Sequence, residues 1–223
     1  MAGTTRLNIY NNALLLCKER FLASLTEEVK ARRLLDQVWD SNGVRYCLEQ
    51  GQWQFAMRTQ QIDYDPDTDS QFGYQYVFEK PTDWVLTSAM CSDERFTTPL
   101  TQYTDESGAG VDYWTADITP IYVKYVSDDD QWGNDLSRWP ASFCDYVSAY
   151  FASKIVLELT GSKDLIAAII TPRTGILDRA KLVAKSRAAM TQGTQYPATG
   201  SWIRSRRGRF GGGPLGDGGT NTF

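Results

Sequence analysis

The spacing of apolar residues changes period twice along this chain, and few folds accommodate both changes. Up to residue 52 the period is helical. Leu7, Tyr10, Leu14 and Cys17 recur at three-to-four spacing, with Ile9 and Ala13 widening the stripe, which predicts a helix over residues 5–20. Ala31, Leu34, Leu35, Val38 and Trp39 form a second apolar face. Thr26 is placed to cap that helix, with Glu27 and Glu28 in its first turn. Asn42-Gly43 is a weak point, since glycine inside a helix costs about 1 kcal/mol against alanine. Tyr46 and Cys47 keep the period beyond it, so the helix is expected to run to Glu49 and stop at Gly51.

From Trp53 the pattern becomes strand-like. "WQFAMRTQQIDYD" alternates, and the runs "YQYVF", "WVLTSAM", "VDYWTAD" and "IYVKYV" are separated by Pro, Gly, Asp and Ser clusters. They predict an antiparallel sheet or small sandwich over residues 53–126. Helical period returns after "SDDDQWGNDLSRWP": Pro140 suits a first turn, and Phe143, Val147, Tyr150, Phe151, Ile155 and Leu159 form a stripe ending at Gly161. "SKDLIAAII", a break at Thr171-Pro172 and a last helix to about Met190 follow. The expected fold is α+β: a helical bundle interrupted by an inserted antiparallel β domain, with an extended C-terminal arm. Its parts are the first bundle helices (1–52), the β domain with an acidic linker (53–136), the remaining bundle helices (137–191) and the arm (192–223).

At 25.1 kDa, with 42% hydrophobic and 13% aromatic residues, the chain can bury the core of one substantial domain or two small ones. No apolar run reaches bilayer-spanning length, and no membrane partner is expected. The N-terminus shows neither a basic leader nor a small-residue cleavage site, so synthesis in the cytosol is expected. Cys17, Cys47, Cys91 and Cys144 contain no CxxC pair and read as reduced, buried thiols. Histidine is absent, which removes His-dependent triads, His-ligated metals and the commonest general base. Charge is unevenly distributed. Residues 60–135 carry thirteen Asp and three Glu against Lys80, Arg95 and Lys124, a net charge of −13. Residues 173–209 carry nine Lys or Arg against Asp178, a net charge of +8.

Three stretches carry candidate chemistry. Asp63, Asp65, Asp67 and Asp69 alternate in "DYDPDTDS", but a calcium loop needs Gly at position six and Glu at twelve. Both possible registers fail, since they place Thr68 and Tyr74, or Ser70 and Tyr76, there. A solvated acidic loop is expected. Asp128, Asp129 and Asp130 stand near Trp132 and Trp139, where a carboxylate pair could cleave or bind sugars; no acid and base are singled out among them. Gly211, Gly213 and Gly216 match G-x-G-x-x-G formally, but no helix follows and Pro214 interrupts them. No catalytic residue, cofactor or metal ligand is expected.

The end of the chain, "WIRSRRGRFGGGPLGDGGTNTF", is basic and glycine-rich. Such a segment behaves as a flexible coil until something orders it. Arg204, Arg206, Arg207 and Arg209 suit phosphates, whereas Trp202, Ile203 and Phe210 beside them suit pockets on a protein. The residues alone leave these two readings level.

Several stretches in order resemble the head-to-tail adaptors of short-tailed bacteriophages, the tail tubular protein A family. They are "LLDQVWDSNGVRYCLEQGQWQFAMRT", "YQYVFEKPTDWVL", "IYVKYVSDDDQW" with "WPASFCDYVSAYFASKIVLELTGS", and "SWIRSRRG". Together they span nearly the whole chain. The resemblance implies a homo-oligomeric ring, a dodecamer, joining the portal protein to the tail nozzle protein in the virion tail, after assembly in the host cytoplasm. DNA passes non-specifically through its lumen. It further implies that Trp202 to Phe210 dock on the portal, and that Asp63 to Asp69 with Asp128 to Asp130 line the lumen or the nozzle face. The competing reading is a carbohydrate-binding or carbohydrate-cleaving tail module built on the tryptophans and acidic loops. A third is a DNA-binding protein acting through its basic end, marked by salt-dependent duplex binding.

Overall fold

Thr5 starts the first helix by accepting the Asn8 amide on its hydroxyl at 3.3 Å. In the computed structural model, which describes residues 4–68, 73–108 and 111–191, this helix is α1 (Arg6–Leu16). It ends four residues before the expected Arg20, where Lys18 takes a left-handed conformation (φ 59°). Asn11 then holds the following loop, donating to Leu22 O at 3.2 Å and accepting from Leu22 N at 2.8 Å.

The second helix departs from expectation at both ends. α2 (Lys30–Val38) begins after Thr26, Glu27 and Glu28, and neighbours four to seven residues away in the chain take up those acids. Glu27 accepts from Ala23 N at 2.9 Å and pairs with Arg20, while Glu28 pairs with Arg32 and Arg33. At Trp39–Gly43 the helix loosens into a wide turn in which Asn42 is left-handed (φ 62°), and α3 (Val44–Glu49) resumes at a new angle. Gly43 is needed there: a β-carbon on it would stand 2.5 Å from Val38 O and 3.1 Å from the Phe151 ring.

The strands pair entirely antiparallel. β1 (Met57–Ile62), β6 (Ile121–Ser127) and β3 (Trp84–Cys91) form one sheet in that order; β2 (Tyr76–Glu79), β5 (Val111–Ala116) and β4 (Thr104–Gly108) form the other. Alternation on β6 sends Ile121, Val123 and Tyr125 against Phe78, Met90 and Trp114, closing a small sandwich. Val126 points the other way, joining Met57 and Val85 in the core of the helices. The fold is thus α+β, as expected.

α4 (Ala141–Thr160) is the central helix, with Phe143, Val147, Phe151 and Ile155 buried and Gly161 ending it in the left-handed conformation. α5 (Lys163–Ile170), capped by Ser162, and α6 (Ile176–Thr191) complete the bundle. Helices from both sides of the β insertion share a single core, from Ile9 and Leu35 to Ile169 and Ala184. All four cysteines are buried free thiols, and burial pushes Cys17 up to about 11 and Cys47 up to about 12.

Candidate interaction surfaces

The junction between bundle and sandwich holds everything else in place, and charged groups build it. Arg45 on α3 pairs with Asp128 and donates to Trp84 O at 2.7 Å. Asp83, in the tight "PTDW" turn before β3, is the second anchor: Arg58 Nη1 donates to it at 2.8 Å and the Ser127 hydroxyl also donates to it. The Tyr125 hydroxyl lies 3.2 Å from Asp83 and 3.1 Å from Gln60 Oε1. Burial opposes ionisation of Asp83, yet the bonds from Ser127, Arg58 and Tyr125 hold its carboxyl below its ordinary value. For Asp128 burial prevails over Arg45, and its carboxyl is raised. Aromatic rings close the junction: Trp53, Phe55 and Trp139 surround Phe143 at centroid distances of 4.8–4.9 Å.

The acidic residues singled out by sequence occupy two separate places. Asp128 is half-buried in its pair with Arg45; Asp129 accepts from Gln131 N at 2.8 Å within a turn; Asp130 is exposed. Asp63 and Asp67 are exposed beside a turn built on Asp65, which accepts from Thr68 Oγ1 at 2.6 Å and Asp67 N at 3.0 Å. Those bonds, the Thr68 one first, lower the Asp65 carboxyl. Because Met57 pairs with Val126 and Ile62 with Ile121, the two acidic groups flank opposite ends of the β1–β6 ladder. At about 3.4 Å per residue the paired stretch alone separates them by about 17 Å. Along the ladder one chain therefore presents two separate acidic places. Asp69 and the arm residues Trp202, Ile203, Arg204, Arg206, Arg207, Arg209 and Phe210 lie outside the described residues.

The six described tryptophans are all buried or half-buried. Trp53 and Trp139 donate to backbone carbonyls, Trp84 carries the Lys80 ammonium 3.9 Å above its ring, and Trp132 carries the Arg138 guanidinium at 5.0 Å. Among the described residues no indole offers the exposed platform that a sugar-binding surface needs.

Sequence reading missed two features. Asp83 is an isolated acid whose partners stand 25 to 44 residues away, and its only local mark is the preceding Pro81. The second is a groove between Trp53, Phe55, Phe143 and the last turns of α6, for which the sequence carries no signal. The geometry defines an α+β protein. Scans against protein-family models and curated proteins find no match for this chain.

Proposed function

We propose that this chain is a structural, non-enzymatic head-to-tail adaptor of a short-tailed bacteriophage. It forms a homo-oligomeric ring between the portal protein and the tail nozzle protein, and DNA passes through its lumen. One observation carries the reading. The helices before and after the β insertion share a single core, the arrangement that the resemblance implies for an adaptor. The division of charge supports it: acids stand at the free end of the β1–β6 ladder, and cations collect on α6 and beyond. An acidic surface toward the lumen repels DNA phosphates, whereas a basic one would hold them. In this reading residues 202–210 dock on the portal through aromatic burial and arginine pairs.

The test is electron microscopy of the purified protein with and without its portal protein. Rings seated on the portal vertex are expected. A chain that stays monomeric, ignores the portal and binds glycans refutes the adaptor and returns the carbohydrate module.

A further inference from the structure

Among the described residues, the positive charge on α6 forms no salt bridge, in contrast to the arginines between residues 6 and 58. Arg6, Arg20, Arg32, Arg33, Arg45 and Arg58 each pair with a carboxylate. Arg173, Arg179, Lys181, Lys185 and Arg187 form no salt bridge with any described carboxylate, and Lys181 donates instead to Gln50 Oε1 at 2.7 Å. Burial, and then the charge of Lys181, holds the Lys185 ammonium below its ordinary value, as expected where like charges crowd.

The same helix presents apolar surface. Its small residues Ala184 and Ala188 stand opposite Trp53, Phe55 and Phe143 and leave a groove of about 250 Å³ bordered by exposed Arg187. On the flank of Arg187, Val183 is 59% and Met190 85% exposed, seven residues apart and so on one side of the helix. A pairing of α6 with α6 of a second copy would set four cations against four, with only Asp178 on each helix to offset them. Nucleic acid fits poorly as well, because the groups between the cations on α6 are aliphatic and the rings of Trp53, Phe55 and Phe143 are buried or half-buried, whereas single strands stack on exposed aromatic planes and duplexes want polar donors.

We propose that this groove and its basic rim are a docking slot for an acidic polypeptide segment carrying one large apolar anchor. The anchor fills the space above Ala184 and Ala188, and flanking carboxylates meet Lys185 and Arg187. This rests on the adaptor reading for the source of the segment, which is the portal protein. It adds a preformed half to the docking surface, next in sequence to the basic arm.

The probe is a short fluorescein-labelled peptide of Asp and Glu flanking a central Trp, titrated with the full-length protein and followed by anisotropy. Saturable, salt-sensitive binding is expected. Ala188→Trp, which fills the groove, weakens it by about tenfold or more, the scale of a lost anchor. Lys185→Glu with Arg187→Glu, at exposed positions that leave the fold intact, weakens it similarly and flattens the salt dependence. No binding, equal binding of a peptide with Gly for Trp, or tighter binding of a DNA duplex overturns the slot. The source is tested separately with the portal protein. If the peptide binds but wild type does not hold the portal, the adaptor reading fails and the slot stands. If the portal holds wild type and the double variant equally, its assignment as the portal contact fails.

Discussion

Gly43→Ala opposes two rules of opposite sign at one position. Gly43 has ordinary helical angles (φ −60°, ψ −36°), so propensity alone expects alanine to stabilise by about 1 kcal/mol. The added methyl, however, would meet Val38 O at 2.5 Å, well inside contact, and Phe151 and Val38 side-chain carbons at 3.1 Å. A backbone carbonyl cannot rotate away as a side chain can. Phe151 is also held edge-on to Trp39 at 5.9 Å. Overpacking costs about 1–3 kcal/mol, and a 2.5 Å contact with a backbone carbonyl belongs in the upper part of that range, about 2–3 kcal/mol, so after the propensity gain of about 1 kcal/mol the variant should lose about 1–2 kcal/mol. Urea unfolding followed by far-UV circular dichroism should show the midpoint lowered by about 0.5–1 M at unchanged slope. Gly161→Ala separates packing from backbone strain, because Gly161 (φ 59°) has nothing within 4 Å of the new methyl and should lose about 1 kcal/mol through its left-handed angle alone. A Gly43→Ala protein as stable as wild type would mean that the wide turn at Trp39–Gly43 yields freely, and that glycine is not what shapes it.

Asp83→Asn should cost about 2 kcal/mol at neutral pH, because it removes a charge that accepts from Arg58 and Ser127. Its folded carboxyl is lowered, so that contribution is full above the unfolded value of about 3.9 and lost as pH falls through the folded one; the gap between variant and wild type should close below about pH 4. Asp128→Asn should cost under about 1 kcal/mol in the same unfolding assay, since burial already raises that carboxyl. Trp53→Ala should cost about 3–5 kcal/mol and broaden near-UV dichroism, as it empties the centre of the Phe143 cluster. Removing residues 202–223 should leave the melting temperature within about 2 °C, because every core contact described lies before residue 192, and should sharply weaken attachment to the portal in a co-sedimentation assay.

Elements whose side chains are sorted by burial were legible in the sequence. The stripe on α4 and the alternation on β6 are consequences of one buried face, and periodicity reads faces. β4 escaped because "TDESG" has no apolar residue to alternate; it is a strand by virtue of its ladder to β5, a partner that a local window does not contain. The start of α2 was misjudged for a different reason, one that lies within a local window. Thr26, Glu27 and Glu28 have the composition of a helix start, but salt bridges to Arg20, Arg32 and Arg33 use the acids elsewhere. The acidic clusters drew attention through density along the chain. The carboxylate most engaged at the junction is the solitary Asp83, whose environment is assembled from β1 and β6. Basic character of the C-terminal third was visible as charge, yet only packing tells that the α6 cations form no salt bridge with a described carboxylate.

Paired and unpaired charges divide this molecule by purpose. Where the chain must hold itself together, ions are matched. Arg6 and Arg32 share Asp36 between α1 and α2, Arg45 and Asp128 tie α3 to the linker, and Arg58 and Asp83 tie β1 to the turn before β3. These pairs lie at the joints between elements, so the sandwich is fastened to the bundle at the end where Val126 and Met57 enter the helical core. The opposite end of the ladder carries exposed Asp63, Asp67 and Asp117, and α6 carries four cations, Arg179, Lys181, Lys185 and Arg187, without salt bridges to described carboxylates. Exposed like charges at these two places destabilise the isolated chain slightly, and mutual neutralisation would need a partner of opposite charge to reach them. The acids and the cations sit on different elements of one chain, and the acid end is held away from the helices by the length of the β1–β6 ladder. In the proposed reading, the ladder end faces a cationic or repelled neighbour and α6 an acidic one, as a link between two different structures requires.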